Sequence, residues 1–188
     1  MARARAPDVE LSATAYALLG LLSFGRELSG YELKQWADGS IRFFYAAPAM
    51  SQVYRELDRL REAGLVAARD VPGGATRRTR VHRITDQGTA VLRDWLDRQP
   101  AGAPVLKHGV ALRVFLGHLA DPERLRATVA DHRRRCEALL AELAEVEEAL
   151  GDDPTWHHAR LVAEWGRTYY AAEVEAAGRL EARLSGEV

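Results

Sequence analysis

The sequence is poor in several features, and each shortage excludes a class of protein. One cysteine among 188 residues cannot form an internal disulfide, which suits the reducing environment of the cytoplasm. The longest apolar run, around residues 17–22, is too short to cross a bilayer. The first seven residues do not lead into the apolar segment of a signal peptide. We therefore expect a cytoplasmic protein without a membrane segment.

Signals for chemistry are also scarce. The sequence has no glycine-rich phosphate loop, no nucleophile elbow and no paired-carboxylate pattern, so we expect no enzyme and no cofactor. The adjacent His157 and His158 would point about 100° apart on a helix and could not hold one ion together. The other histidines, including His108 and His132, lack the spacing of a metal motif. We expect no metal, and we interpret Cys136 as a small buried apolar residue rather than a redox sensor.

The net charge of −1 conceals an uneven distribution. Residues 1–96 carry 14 basic and 11 acidic side chains, whereas residues 97–188 carry 12 and 16. Residues 69–83 alone hold five arginines and one aspartate. Because a weakly acidic protein must bind nucleic acid through a local basic patch, this segment is the candidate.

Helix signals are clear in the first half of the chain. Ser12 and Ser29 are suitable N-caps for two short helices. Pro48 fits the first turn of a third helix, which should end at Gly64. Thr85 is a suitable N-cap for a fourth helix, which should run to about residue 98 and bury Val91, Leu92, Trp95 and Leu96.

Two strands follow the third helix. They are predicted at residues 65–70 and 79–84 and are joined by an arginine-rich loop at 71–78. The order helix, hairpin, helix is that of a winged helix-turn-helix, which indicates duplex DNA as the partner. We expect a mainly α-helical protein with a small β-hairpin wing, whose DNA-binding domain covers residues 10–98.

The second half reads as a separate helical domain. Residues 99–104 resemble a linker, and a helix is expected from about residue 105 to 117. Asp121 and Pro122 begin a long helix, and Asp153 and Pro154 begin the last one. We expect a domain of long antiparallel helices over residues 105–186.

Apolar side chains recur along both long helices at spacings of three and four. Such a seam is too long to be covered by one neighbouring helix, so a homodimer is expected; the alternative is a monomeric helical hairpin folded back on the winged domain. The predicted dimerisation residues are Leu125, Val129, Leu139, Leu143, Val146, Leu150, Val162, Trp165 and Tyr169. Trp95, Trp165 and Tyr169 are also candidates to line a ligand cavity, although ordinary core and interface packing is the favoured explanation for any single aromatic.

The third helix should read DNA with the face opposite its apolar stripe. Gln52 and Arg55 can contact base edges bidentately, while Ser51, Tyr54 and Arg59 should position the helix. The alternative is that Arg55 and Arg59 only form ion pairs on a solvated face. Arg77, Arg78 and Arg80 should contact phosphate or enter the minor groove from the wing, and Lys34 could touch the backbone; a charged hairpin edge that merely resists aggregation is the alternative for the wing.

These segments together resemble the PadR-like transcriptional regulators. The matching stretches are LLGLLSFGRELSGYELKQ (18–35), SQVYRELDRLREAGLV (51–66), VHRITDQGTAVLRDWL (81–96) and LKHGVALRVFLGHLADPERL (106–125). His82 departs from the family pattern, where tyrosine is usual. The resemblance implies a dimeric repressor that releases a near-palindromic DNA operator when a small, often aromatic or hydrophobic, molecule binds. The competing hypothesis is a winged-helix protein-interaction module without DNA binding, which the acidic residues of the third helix keep open.

Overall fold

The computed structural model describes residues 11–45, 47–73, 77–103 and 105–186. The chain forms two compact units, Met1–Gly102 (the winged unit) and Ala103–Val188 (the helical unit). The winged unit contains α1 (Ala13–Leu22), β1 (Leu28–Ser29), α2 (Gly30–Gly39), α3 (Met50–Glu62), β2 (Val66–Gly73), β3 (Arg77–Ile84) and α4 (Asp86–Arg98). The helical unit contains α5 (Gly109–Phe115), α6 (Pro122–Leu150) and α7 (His157–Leu184). Within the described residues, no helix is long and apolar enough to cross a membrane.

Four helices begin where local capping signals predict. The side-chain oxygens of Ser12, Thr85 and Asp121 accept backbone N–H groups at the starts of α1, α4 and α6. At α2, Ser29 accepts from the Glu32 N–H while the Glu32 carboxylate accepts from the Ser29 N–H at 2.7 Å. Each pairing satisfies N–H groups that a helix start leaves without an internal partner, which is why short sequence motifs locate these starts.

Two expected helix starts were wrong. Pro48 lies outside α3, whose N-cap is Ala49. The expected helix from residue 105 begins only at Gly109, because the ring of His108 caps it by accepting the Ala111 N–H at 3.0 Å. A histidine is not a residue that N-cap preferences favour, so this start could not be predicted from capping signals.

The winged unit is built around one apolar core. α1 contributes six of its sixteen buried residues, more than any other element, and α2, α3, α4 and the sheet with its flanking residue Leu65 contribute the rest. Val53, Leu57 and Leu60 of α3 are completely or almost completely buried, which confirms the predicted core face of that helix. Leu96, expected to be buried in α4, is 65% exposed within the chain. The core thus buries one face of α3 and leaves the opposite face exposed to solvent.

The sheet has three antiparallel strands in the order β1-β3-β2, rather than the two expected. β1 consists of only two residues, Leu28 and Ser29, paired with His82 and Val81. A strand of that length carries no alternating pattern, so sequence periodicity could not detect it. β2 and β3 extend further than predicted, which places Arg78 on β3 opposite Pro72 rather than in the connecting loop.

α6 and α7 of the helical unit form an antiparallel hairpin. Leu143 of α6 lies against Gly166 of α7, where an added Cβ would stand 3.2 Å from the leucine side chain. Arg167 donates to Glu147 at 2.7 Å, and Arg133 donates to Glu181 at 3.1 Å. The absence of a side chain at residue 166 therefore permits close packing of the two helices.

This packing corrects the assignment of the heptad seam. Leu125, Val129 and Leu143 are buried within the single chain, so they are not free for a partner, and Leu139, Val146 and Leu150 are half-buried. The buried residues of α7 are Ala163, Gly166 and Ala177. The predicted stripe lies on a neighbouring face of α7, where Trp165 is 66% exposed and Tyr169 45%. The hairpin therefore buries half of the predicted seam residues of α6 and leaves the other half partly exposed, together with apolar residues of α7.

Candidate nucleic-acid interface

α3 presents a polar face beside the wing. Ser51, Gln52, Tyr54, Arg55 and Arg59 are all exposed, as expected from the position of the apolar stripe. Because α3 is anchored by its buried leucines, these side chains project from a rigid element rather than from a loop. That arrangement suits a helix that enters a groove of DNA.

The two arginines of this face differ in their surroundings. Arg59 donates to Glu56 at 3.3 Å, and the carboxylate of Glu56 is nearly buried. Among the described residues, none forms a hydrogen bond or ion pair with Arg55. The ion-pair alternative therefore applies to Arg59, with Glu56 as the partner rather than the acids expected, and not to Arg55.

Gln52 is partly engaged by the helix itself. Its carboxamide oxygen accepts the backbone N–H of Ala49 at 2.9 Å. Because Ala49 has no polar side chain to cap α3, Gln52 reaches back to the N-cap residue from the first turn. The NH₂ group of Gln52 remains exposed at the end of the helix that would meet a base pair first.

The ring of Tyr54 on α3 lies against Gly30 at the start of α2. A Cβ added to Gly30 would lie 2.6 Å from the ring carbon Cε1 of Tyr54, which is closer than van der Waals contact allows. Glycine at residue 30 thus makes room for the aromatic ring, whose outer part stays exposed. This contact fixes the position of Tyr54 at the edge of the polar face.

The arginines of the wing differ in whether an acidic side chain pairs with them. Arg80 of β3 donates to Asp70 of β2 at 3.2 Å, across a directly paired position of the ladder. Arg78 is exposed, and among the described residues none forms an ion pair with it. The backbone of Arg77 lies at the start of β3, but its side chain lies outside the described part of the chain.

Two further cations of the winged unit form ion pairs with acidic side chains. The Nε of Arg69 donates to Glu27 at 3.0 Å, and this hydrogen bond lowers the pKa of the Glu27 carboxyl. Lys34 forms an ion pair with Asp38 one turn further along α2. The predicted contact of Lys34 with the DNA backbone would therefore have to compete with this intrahelical pair.

His82 is buried inside the wing. It is 4% exposed on β3, and among the described residues no partner reaches its buried Nδ1 atom. Burial lowers the pKa of the imidazole, and the nearby charge of Arg80 lowers it further. The side chain is thus held in its neutral form within the sheet.

The three aromatic candidates for a ligand cavity have different environments. Trp95 stacks on Tyr16 in the winged unit, with ring centroids 4.5 Å apart and planes 13° apart. Trp165 and Tyr169 lie on the exposed side of α7. Burial and the neighbouring Glu173 raise the pKa of the Tyr169 hydroxyl.

One group of side chains was missed by the sequence reasoning. His108, His132 and Glu173 of the helical unit place potential metal-ligand atoms within 4.8 Å of one another. Their separations along the chain match no short motif, so only the packing of three helices reveals the group.

Comparisons with known proteins match both halves of the chain. Residues 18–94 match the transcriptional regulator PadR-like family, and residues 106–185 match the family described as virulence activator alpha C-term. The negative transcriptional regulator PadR of Bacillus subtilis is 29% identical over 135 residues, which cover 72% of this chain and 73% of that protein.

Solved structures with the same fold extend the match over nearly the whole chain. Bacillus subtilis PadR in complex with operator DNA has a TM-score of 0.78 at 24% identity, covering 92% of this chain and 99% of that one. The same protein with p-coumaric acid has a TM-score of 0.71 at 24% identity, covering 93% and 99%. The Vibrio cholerae virulence activator AphA has a TM-score of 0.72 at 24% identity, covering 94% and 100%. Together, these sequence and structural matches support a PadR-like, DNA-binding transcriptional regulator.

Proposed function

We propose that this protein is a homodimeric repressor that acts in the cytoplasm, where it binds a near-palindromic operator and is released by a small aromatic or hydrophobic effector. The observation that carries the proposal is the polar face of α3, on which Arg55 is exposed and forms no ion pair with any described residue, together with the arginines of the hairpin. The Bacillus subtilis relative is a negative regulator, which supports repression rather than activation.

In this proposal α3 lies in the major groove. Arg55 reads guanine, because a guanidinium donates two parallel hydrogen bonds to O6 and N7 of that base. Gln52 contributes its NH₂ donors, while Ser51, Tyr54 and Arg59 contact phosphate and fix the register of the helix.

The wing contributes contacts that do not depend on sequence. Arg77 and Arg78 bind phosphate or enter the minor groove, and Arg80 does so only by giving up Asp70. Because each phosphate contact releases condensed counterions, binding should weaken steeply with salt.

Dimerisation presents two reading helices to one operator. The helical unit leaves apolar side chains exposed on α5 and α7, among them Phe115 at 80% and Trp165 at 66%. A second copy of the chain would cover such a surface and would space the half-sites about 34 Å apart. Val162, Trp165 and Tyr169 are retained as proposed dimer contacts, with Phe115 added.

Relief by an effector follows from the same arrangement. A molecule that binds one arrangement of the dimer more tightly than the other shifts the population toward it and changes the spacing of the reading helices. The structure of Bacillus subtilis PadR with p-coumaric acid supports an aromatic carboxylic acid as the first compound to test. Trp165 and Tyr169 of the helical unit are proposed contacts for the effector, and Trp95, which stacks on Tyr16 in the winged unit, is a separate candidate.

Titration of the full-length protein with its own upstream promoter DNA tests the reading helix. We expect Arg55→Ala to weaken binding by about 1–3 kcal/mol and to relax preference at one base pair. Arg61→Ala is the matched control, since Arg61 pairs with Asp58 on the same helix and has no proposed role. Equal affinities of the Arg55→Ala variant and the unchanged protein would show that α3 does not read DNA as proposed.

A salt series separates the wing from the helix. Alanine at Arg77, Arg78 and Arg80 should weaken binding to all sequences and reduce the slope of log affinity against log salt by about 2–3. If the unchanged protein binds its promoter and random DNA with the same affinity, the winged unit is a protein-interaction module instead.

A further inference from the structure

Three side chains from three separate helices converge in the helical unit. His108 stands at the N-cap of α5, His132 lies on α6 and Glu173 lies on α7. The Nε2 atoms of both histidines lie 3.0 Å from the same carboxylate oxygen, Oε2 of Glu173. The three side chains are 18%, 22% and 19% exposed, so they form a half-buried cluster that solvent can still reach.

We propose that His108, His132 and Glu173 form a binding site for a divalent transition metal of the zinc class. The site is separate from the DNA-binding face, and the proposal holds whether or not repression is the protein's role. Two imidazoles and one carboxylate are ligands that zinc accepts in sites that keep one coordination position open.

The distances are compatible with such an ion after movement of the side chains. Tetrahedral bonds of about 2.0 Å place neighbouring nitrogen and oxygen ligands about 3.3 Å apart. The two observed contacts of 3.0 Å need to widen slightly, and the separation of the two histidine nitrogens, which is at most 4.8 Å, has to shorten to about the same value by rotation of the imidazoles. Because His132 and Glu173 lie on the paired helices of the hairpin, most of the site is positioned before any ion arrives.

The surroundings also favour a cation. The thiol of Cys136, one turn after His132, lies 3.6 Å from the His132 Nε2 atom. A soft sulfur atom thus lies beside one of the three proposed ligands.

Metal binding has a defined cost at His108. The Nδ1 atom of His108 accepts the Ala111 N–H, so the proton of the neutral ring stands on Nε2, the atom that faces Glu173. Ligation through Nε2 requires the proton to move to Nδ1, which ends the hydrogen bond to Ala111. Metal uptake and capping of α5 by His108 therefore exclude each other.

Titration of the metal-free, full-length protein with Co²⁺ tests the site, because tetrahedral cobalt absorbs visible light. We expect one ion per chain with a Kd below about 100 μM, displaced by Zn²⁺. Replacing both His108 and His132 by alanine should abolish the absorption. Replacing both His157 and His158 by alanine removes the same number of imidazoles from exposed positions and should leave the absorption unchanged.

Glu173→Gln keeps the shape of the side chain and guards against unfolding of the histidine variant. We expect it to weaken Co²⁺ binding at least about tenfold, while Glu175→Gln, on an exposed position of the same helix, does not. Far-ultraviolet circular dichroism would establish that each variant is helical. A Kd above about 100 μM for the unchanged protein, or equal binding by the Glu173→Gln and Glu175→Gln variants, would overturn the proposal and leave a metal-free hydrogen-bonded network.

Hydrogen exchange supplies an independent readout. Zn²⁺ should accelerate exchange of the Ala111 amide in the unchanged protein and should not do so in the Glu173→Gln variant. An Ala111 amide that stays protected while the ion is bound would show that His108 is not a ligand and would refute the three-residue site.

Discussion

The winged and helical units differ in how many of their large apolar side chains are buried. Of the eleven largest completely buried side chains among the described residues, nine lie in the winged unit and only Leu143 and Val129 in the helical unit. On α5 and the turn after it, the helical unit exposes Leu112, Phe115 and Leu119 at 60%, 80% and 82%.

This contrast indicates a division of roles. The winged unit has a sufficient core of its own, and its exposed face is rich in charge, as expected of a surface that meets DNA. The helical unit leaves apolar area that a monomer would have to keep in contact with water, which costs about 25 cal/mol per Å². Its surface is therefore suited to another copy of the chain.

The largest effect is expected from charging the exposed apolar surface. Phe115→Asp combined with Leu119→Asp should convert the dimer into a monomer at micromolar concentration, because association would bury unpaired carboxylates. Light scattering would measure the mass. Leu96→Asp, at a residue 65% exposed in the winged unit, is the control and should remain dimeric. A monomeric unchanged protein would contradict the interpretation of the helical unit.

A core substitution in the winged unit should have a large but different effect. Leu57→Ala should lower the free energy of unfolding of that unit by about 2–5 kcal/mol, since it removes a buried side chain of α3 and leaves a cavity. Leu96→Ala should change it by less than about 0.5 kcal/mol. Guanidinium unfolding at two protein concentrations would measure both; a loss that depends on concentration would show that the winged core needs the partner.

The smallest effect is expected from the histidine in the wing. Because burial lowers the pKa of His82, the unfolded chain takes up a proton more readily than the folded one. The free energy of unfolding should be unaffected by His82 above pH 6.5, the ordinary pKa of a histidine, and should fall as the pH drops below that value. Arg80 and Arg61 disfavour the charged ring, while Asp58 favours it. His82→Phe should remove part of this loss, measured as the unfolding free energy at pH 7 and 5; identical slopes would exclude His82.

Local signals account for what the sequence predicted well. The starts of α1, α2, α4 and α6 follow from side chains that cap within three residues, and the buried face of α3 follows from a helical period. The polar face of α3 lies opposite that buried face, so its exposed residues could be predicted from the sequence.

Contacts between distant elements account for what the sequence did not predict. α7 carries small or apolar residues on more than one face, and the face that meets α6 is set by packing between the helices, such as that of Leu143 against Gly166. Several acidic residues of α3 could pair with Arg59, and the sequence does not show which one does. In the structure the partner is Glu56, which is buried, and not Asp58, which is exposed. His108, His132 and Glu173 are separated by up to 65 positions, and no spacing rule connects an N-cap with two long helices.

The close approach of Gly30 to Tyr54 has a consequence for how this protein can change over generations. A side chain gained at residue 30 would collide with the ring, so it could persist only after a smaller residue had replaced Tyr54. That replacement would alter the edge of the reading face. The two positions should therefore be inherited as a pair, and divergence in the DNA sequence recognised here should begin elsewhere on α3, at Gln52 or Arg55.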